Sequence, residues 1–562
     1  MDNYQIADNF SLLSKLMDIH GENSFKSKTY SVAAFNIEKL PMQLADTPRE
    51  KIAGIKGIGD STAKKIIELL DTGTLKALQD IIANTPIGII EMLSIKGIGP
   101  KKIATIWKEM EIESIGELLY ACKENRLKLY KGFGEKTQQN VMESIEFYLK
   151  SQGSHLYVNV EPAVPVVTKY LTDIFGAPAV QVTGAYRRQS EIVNELEFVV
   201  QETLPRITEA IAAAGGMELK ETGDNEALFQ LEGGLALHIY ACNNELGNER
   251  TFYTTGSPAF NEAFRQAYPT ATFEGWDDDR ALFTSLGLPY IAPCLRENAQ
   301  IIEKAKNGPL PTLIQPQDIK GIIHSHSNWS DGSNTIEQMA QAAIHEGLEY
   351  LVISDHSKSA FYAQGLSEER IKEQHAQIDE LNARLAPFKI FKSIECDILN
   401  DGSLDYSNPI LSTFDLVIAS VHSNLKMTEE KAMMRLLNAI ENPYTTILGH
   451  MTGRLLLSRK GYPVDHEKII EACVANKVVI ELNAHPNRLD IDWRWIAAAL
   501  DKGIIISIDP DAHSVAGFAD TKYGVLVAQK AMLTKEQNLS SYGLAAFEDY
   551  LQQRRVVKGI GG

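Results

Sequence analysis

Histidines and carboxylates are concentrated in one part of this sequence. Ten of its 13 histidines lie after residue 310. His324, His326, Asp331, His356, Glu395, His422, His450, Asp511 and His513 are the candidate metal ligands. Residues two apart on a strand point the same way, so His324 and His326 can grip one ion, as can Asp511 and His513. Imidazole mixed with carboxylate suits Zn, Mn or Fe better than Ca or Mg alone. Nine donors exceed what one ion needs. They would hold two or three, bridged by a carboxylate such as Glu395. Clustered ions acidify a water and neutralise phosphate oxygens, which is the chemistry of phosphoester hydrolysis. A lone histidine is more often a capped structural residue. Histidines and carboxylates closing one apolar run after another are not.

Those runs are the elements that must position the ligands. They are GIIHSH, YLVISDHS, FKSIECDI, LVIASVHS, TTILGH, VVIELNAH and IIISIDPDAH. Most are separated by helical stretches such as TIEQMAQAAIHEGL and WRWIAAALDKG. Seven β-α units predict parallel strands closed into a barrel, with the chemistry at the strands' C-terminal ends.

Earlier segments differ. Residues 1–150 read as nearly all helix, with apolar residues at helical spacing in FSLLSKLMDI, STAKKIIELL, KKIATIWKEM and QQNVMESIEFYL. Within them Ile55-Lys56-Gly57-Ile58-Gly59 recurs as Ile95-Lys96-Gly97-Ile98-Gly99, and more weakly as Tyr130-Lys131-Gly132-Phe133-Gly134. Such a turn opening a helix exposes backbone N–H groups that can hold a phosphate. Gly57, Gly59, Gly97, Gly99 and Lys101 are therefore candidate phosphate contacts, with Lys64, Lys65 and Lys102 adding attraction. A break near Ser151-Gln152-Gly153-Ser154 opens a mixed α/β stretch with strand-like runs HLYVNV, AVQVTGA, LEFVVQ and LALHIYA. The segment NGPLPTLIQPQ (307–317) has three prolines and reads as an interdomain linker.

Composition sets the bounds. The chain has 562 residues, 44% hydrophobic and 23% charged, which excludes a mainly disordered, collagen-like or disulfide-scaffold chain. Net charge is −18, against a generally nucleic-acid-binding surface. Residues 1–150, however, balance 20 acidic and 20 basic side chains, and are the least repelled by a polyanion. No apolar run reaches the ~18 residues of a membrane span. The start lacks a signal peptide's basic flank and apolar core. Cys122, Cys242, Cys294, Cys396 and Cys473 form no CxxC pair. Reduced thiols in a cytoplasmic monomer without a membrane partner are expected.

HSHSNWSDG, SDHS, Glu395-x-Asp397, VHS, GHMTGR and DAHS, in that order, resemble the motifs of the PHP (polymerase and histidinol phosphatase) domain. The resemblance implies a distorted seven-stranded β/α barrel with a trinuclear site held by the nine ligands above. Glu395 and His356 are then the central catalytic candidates. Asp331 occupies a position that is His in some relatives. Asp355, Asn483 and Asp509 have weaker claims, Asp355 as an orienting group. Arg454 and Arg488 could grip a substrate phosphate bidentately, or serve as salt-bridge partners.

The two IKGIG turns resemble helix-hairpin-helix motifs, which hold DNA by its backbone without reading sequence. GENSFKSKTYSVAAF resembles the small N-terminal domain of family X DNA polymerases. Lys65 then matches a Schiff-base lysine acting on abasic sugar, a role for which Lys64 competes. Thr183-Gly184-Ala185-Tyr186-Arg187-Arg188, followed by Glu195-Leu196-Glu197, resembles that family's nucleotidyltransferase palm, and Tyr253-Thr254-Thr255-Gly256-Ser257 with Asn261 resembles its nucleotide-contacting segment. Gly184, Arg188, Gly256 and Asn261 are retained. The resemblance puts Glu195, Glu197 and His238 where three aspartates are expected, and Ala185 where a serine is. Two Mg²⁺ ions need tight oxygen cages, which glutamate misplaces and histidine serves poorly. Mg²⁺ binding there is doubtful, and a silenced polymerase site is expected.

The sequence thus predicts a multidomain chain: a small helical domain with a helix-hairpin-helix (1–85), a second such region (86–150), a degenerate palm and thumb (151–310) and a PHP barrel (316–562). The resemblance implies a DNA-repair protein with 3′→5′ exonuclease, and abasic-site endonuclease, activity in the barrel. The alternatives are a phosphatase of the histidinol-phosphate type and a non-catalytic DNA-binding scaffold.

Overall fold

The computed structural model describes residues 1–559 apart from 39, 41, 150–152, 232–233, 244–245 and 274–277. Residues 151 and 152 of the expected break lie outside the described residues. The chain forms two bodies: residues 1–123 with 127–148, and residues 124–126 with 149–562.

The first body is helical. Helices α1 (Asn3–His20) and α2 (Ser24–Glu38) pack as a hairpin, with Phe10 against Tyr30. Asp2 caps α1 in a reciprocal box with Gln5, and Gly21 ends it in the left-handed conformation. The repeated phrase folds alike each time. Gly57, Gly97 and Gly132 have φ of 90°, 99° and 92°. At Gly57 a side chain would meet Asn36 Nδ2 at 2.6 Å as well as the wrong backbone conformation. Ile58 and Ile98 are buried, which fixes the turn from below. Gly59 and Gly99 are then the N-caps of α3 (Asp60–Thr72) and α4 (Pro100–Lys108). The third copy leads into α5 (Glu135–Leu149) in the same way.

The second body opens with a five-stranded sheet: β1 (Val180–Thr183), β2 (Glu195–Val200), β3 (Met217–Thr222), β4 (Glu226–Leu231) and β5 (Ala236–Ala241), in the order β1-β2-β5-β4-β3. Only β2 and β5 run parallel, and their register sets Glu197 opposite His238. Edge strand β3 is nearly all exposed and carries Glu218, Lys220 and Glu221, so it resembles a loop in sequence. HLYVNV corrects an expectation. Only His155–Leu156 is strand, and Tyr157–Val160 is a helical turn. The Tyr157 ring stacks on Tyr186 at 4.7 Å and its N–H donates to Glu191 O, which takes the segment out of the sheet.

The proline-rich segment also departs from a free linker. Ile314 is fully buried, donates to Leu533 O (2.9 Å) and accepts from Gln529 Nε2 (2.8 Å). Pro309, Pro311 and Pro316 have no N–H to satisfy, which suits a packed strap.

Seven parallel strands follow: β6 (Gly321–Ser325), β7 (Tyr350–Ile353), β8 (Lys389–Asp397), β9 (Leu416–Ser420), β10 (Thr445–Leu448), β11 (Val479–Asn483) and β12 (Ile506–Asp509). They lie in strict chain order, each on one of the seven predicted runs. All are buried on both faces save at a few positions, as parallel strands under helices must be. The ring is nearly closed by two bonds between β6 and the segment after β12: His326 N–H to Ala512 O (2.9 Å) and Ala512 N–H to His324 O (3.2 Å).

Candidate metal centre

Eight of the nine predicted ligands are buried and His422 is half-buried, all at or just beyond the C-terminal ends of the barrel strands. Simple strand alternation does not place them. His324 and Asp511 adopt left-handed φ of 59° and 54°, uncommon for such residues. Both flank the barrel seam, where the ladder between β6 and β7 shifts register. There His324 Nε2 and Asp511 Oδ1 meet at 3.4 Å. Backbone strain at a ligand position persists only where surrounding contacts enforce it. Here the two seam hydrogen bonds do.

The predicted donors form three overlapping sets: His326, Asp331, His356 and His513; His324, His326, Glu395 and Asp511; His356, Glu395 and His422; a fourth joins Asp511 and His513 to Glu124. Within each set the ligand atoms lie within 4.8 Å of one another. His450 joins through Nε2, 2.9 Å from Glu395 Oε1. Glu395 is the hub. Its Oε1 also faces His422 Nε2 (2.9 Å) and His324 Nε2 (3.3 Å), while Oε2 faces His356 Nδ1 (3.0 Å).

Electrostatics shows what this arrangement lacks. Burial drives His326 down to about 3, helped by His513 and His356. Burial works the same way on His356, yet Asp331 and Glu395 overcome it and raise that imidazole to about 10. Burial would raise the Glu395 carboxyl, but His422, His324 and His356 hold it well below the usual range. The carboxylates thus demand positive charge that only some imidazoles can supply as protons. His324 Nε2, His326 Nδ1, Asp331 Oδ2, Glu395 Oε2 and His513 Nε2 are buried without a hydrogen bond. Buried polar atoms are seldom left so. Mixed imidazole and carboxylate donors with orphaned lone pairs fit transition-metal ions.

Two groups that orient ligands were not singled out from the sequence. Glu481 takes His324 Nδ1 at 2.6 Å, and Asp397 takes His422 Nδ1 at 2.5 Å. Such outer carboxylates fix the imidazole's tautomer and leave the other nitrogen for the metal. Asp397 stands two residues beyond Glu395 and Glu481 two before Asn483, so strand alternation could have found both.

The weaker candidates separate. Asp355 accepts from Ser327 N (2.8 Å), Ser327 Oγ (2.7 Å) and Gln374 Nε2 (2.7 Å), so it braces the loop that carries His326 and Asp331. Burial and then Glu481 push Asp509 well above the carboxylate range, and Ser507 Oγ donates to it at 2.6 Å. Asn483 donates to Glu481 (3.0 Å) and Asp511 (3.0 Å). Arg454 takes the salt-bridge role rather than the phosphate grip. Its guanidinium donates to Arg488 O (3.0 Å), Leu489 O and Asp492 Oδ2 (2.5 Å), which uses its fork. Arg488 is buried, with Nε 4.0 Å from Asp511 Oδ2, at the edge of the centre.

The palm-like residues form their own cluster. Gly184 has φ 69°, and a Cβ there would overlap the Glu197 carboxylate. Glu197 is held by Ala185 N–H (2.9 Å) and Tyr240 Oη–H (3.1 Å). His238 sits between Glu195 (Nδ1, 3.2 Å) and Glu226 (Nε2, 3.5 Å). Arg188 donates to Thr255 O (2.6 Å), and Asn261 to Tyr253 O (2.6 Å) and Gly256 O (3.0 Å). Burial lowers the His238 pKa, but Glu195, Glu226 and Glu197 raise it above the ordinary 6.5. A raised folded-state pKa stabilises the fold below the unfolded value and is lost as pH rises through the folded one. His238→Asn should therefore cost more stability near pH 6 than near pH 9. Melting curves of parent and variant at the two pH values check this, and an equal loss at both would contradict it.

In the first body, Lys65 lies on α3 with Nζ 6.0 Å from the Tyr30 ring centre. Lys101 is exposed at the start of α4, and Lys102 Nζ donates to Gly97 O (3.3 Å).

Three family models match parts of the chain. A helix-hairpin-helix domain model matches residues 1–75, a SAM-like helix-hairpin-helix tandem residues 89–146 and a PHP domain residues 323–485. The DNA polymerase/3′-5′ exonuclease PolX of Bacillus subtilis is 30% identical over 556 residues, covering 96% of this chain and 97% of that protein. This chain belongs to the PolX family. A probable phosphatase of Thermoanaerobacter is 25% identical over 250 residues, 42% of this chain and 96% of that protein. A PolX-family chain thus carries a metal-dependent phosphoesterase barrel behind helical DNA-binding modules. Among the described residues no helix is long and apolar enough to cross a membrane.

Proposed function

We propose that this PolX-family protein is a DNA-directed phosphodiesterase that removes nucleotides from 3′ ends, and that its polymerase site is silent. The observation that carries the first half is the set of three donor groups sharing Glu395, His326 and His356. Two or three Mn, Zn or Fe ions held there would supply Lewis acidity toward phosphoryl oxygens and an acidified water. Glu395 and His356, each belonging to two of the donor sets, would then be the groups nearest the reacting phosphate. Glu481 and Asp397 keep His324 and His422 in one tautomer. Arg488 is the cation nearest the centre for an incoming phosphate. Abasic-site cleavage would use the same groups, since it too breaks a phosphodiester.

The relatives named probable phosphatases match at most 42% of this chain. The helical modules favour DNA for the whole chain. Their turns should bind backbone phosphates without sequence preference, with affinity falling steeply as salt rises, a logarithmic slope of about −0.9 per phosphate contacted. Replacing Gly57 and Gly97 together by valine should flatten that slope by about 1–2 and weaken binding to duplexes of any sequence. Fluorescence anisotropy across a salt series reads this. A folded double variant with the parent's slope would make the turns merely structural.

Three features support polymerase loss. Glu197 is engaged by Ala185 N–H and Tyr240, Glu195 is paired with His238, and histidine replaces an oxygen ligand. His238, between Glu195 and Glu226, stands at the position that resembles the third metal-holding aspartate. The four-part division 1–85, 86–150, 151–310 and 316–562 is kept as part of this reading, as are a cytoplasmic location and a monomeric state. A labelled primer–template incubated with Mn²⁺ tests the function: progressive 3′ shortening supports it, and an intact primer opposes it.

A further inference from the structure

We propose that Glu124, a residue from outside the barrel sequence, is the positioning carboxylate for His513 in the metal centre. The inference rests on the metal-centre reading above. Residues Glu124–Arg126 belong to the second body, although their chain neighbours on both sides belong to the first. Glu124 is 5% exposed, and its Oε2 lies 2.7 Å from His513 Nδ1. The other ring nitrogen, Nε2, faces Asp331 Oδ1 at 3.4 Å and has no hydrogen bond. This repeats the geometry of His324 with Glu481 and of His422 with Asp397. In all three, Nδ1 meets a carboxylate and Nε2 faces the donor cluster. Glu481 and Asp397 come from the barrel's own strands, whereas Glu124 does not.

Two further contacts hold the segment. Asn125, at φ 55°, donates through Nδ2 to Ser333 Oγ (2.8 Å). The Arg126 guanidinium lies 4.2 Å from the Tyr362 ring centre, within cation–π range. The segment is thus held at three successive residues, and its carboxylate reaches His513 through Oε2 at 2.7 Å, while Oε1 lies 3.9 Å from His485 Nε2. Asp511, His513 and Glu124 could also be read as ligands of one ion, since their donor atoms lie within 4.8 Å. The positioning role is favoured because Glu124 approaches the nitrogen turned away from Asp331. His513 Nδ1 also lies 2.9 Å from the Asp511 carbonyl oxygen, so its proton keeps one acceptor when Glu124 is removed. What is lost is the negative charge that raises the ring's basicity.

The test uses the full chain, stripped of metal, as parent, Glu124→Gln and Glu124→Ala. Co²⁺ is titrated against a competing chelator and followed by visible absorption, and the metal-free proteins are melted. Removing such an outer carboxylate costs about 10–100-fold in metal affinity. One Co²⁺ site should weaken by that range in Glu124→Ala and by less in Glu124→Gln, whose Oε1 still accepts a hydrogen bond from the His513 Nδ1–H. The other sites and the saturated spectrum should keep the parent's values. Equal affinity in all three proteins would overturn the role. A changed spectrum at saturation would make Glu124 a ligand and overturn it too. If the alanine variant is unfolded without metal, the near-isosteric glutamine variant decides, an unchanged affinity again overturning the role. A parent that binds no Co²⁺ would overturn the metal-centre reading itself, and this inference with it.

Discussion

Replacing Glu395 by alanine will abolish phosphodiester hydrolysis and strip metal from the protein together. Glu395 is 1% exposed and faces five imidazoles: His324, His422 and His450 through Oε1, and His326 and His356 through Oε2. Glu395 also joins two of the donor sets on one carboxylate. Without it the neighbouring imidazoles lose the anion that offsets any cation brought among them. Proton and metal compete for the same lone pairs, so the loss should be larger at lower pH. A fall of at least ~10³-fold in rate is expected, equivalent to ~4 kcal/mol in the barrier. Metal content should drop by at least one ion per chain. Elemental analysis and a nuclease assay on the same preparation check both. Full metal content with full activity would contradict the role given to Glu395. DNA binding, measured by anisotropy, should change little, because the Gly-x-Gly turns belong to the other body.

The sequence was most legible where one chemistry recurs at one position in a repeated element. Seven apolar runs ending in histidine or carboxylate specified a barrel and its working edge, and the nine donors do converge. The repeated IKGIG phrase was legible because only glycine tolerates φ near 90° at its third position. Legibility failed where tertiary contacts decide. Nothing local marks Glu124, whose partner is far away in the chain. Tyr157 leaves the predicted strand because a ring stack outweighs β-propensity. The segment 307–317 reads as a linker from its prolines, yet Ile314 docks it. Arg454 has the side chain for a phosphate grip, but Asp492 and two carbonyls take its donors. Charged edge strand β3 hides behind the polarity that protects it.

The second large effect concerns the other active site. With Mg²⁺ and nucleotides the parent should not extend a primer detectably, because Glu195, Glu197 and His238 stand at the three positions that resemble the metal-holding aspartates. An internal ion pair, His238 with Glu195, and two hydrogen bonds to Glu197 occupy the groups that would have to hold Mg²⁺. Changing all three to aspartate removes that pair and the overlong side chains. It should restore some extension, limited by Ala185. Detection by gel of a single added nucleotide would suffice to score it.

One primer–template gel, run with the parent and His356→Ala, decides between a working barrel and a working palm. His356 touches Glu395 and Asp331 in two of the three donor sets. With Mn²⁺ the parent is expected to shorten the primer from its 3′ end, while His356→Ala leaves it intact, and neither protein should lengthen it with Mg²⁺ and nucleotides. Template-directed extension by the parent would contradict the silent polymerase site, and equal shortening by both proteins would contradict hydrolysis at the barrel's metal centre.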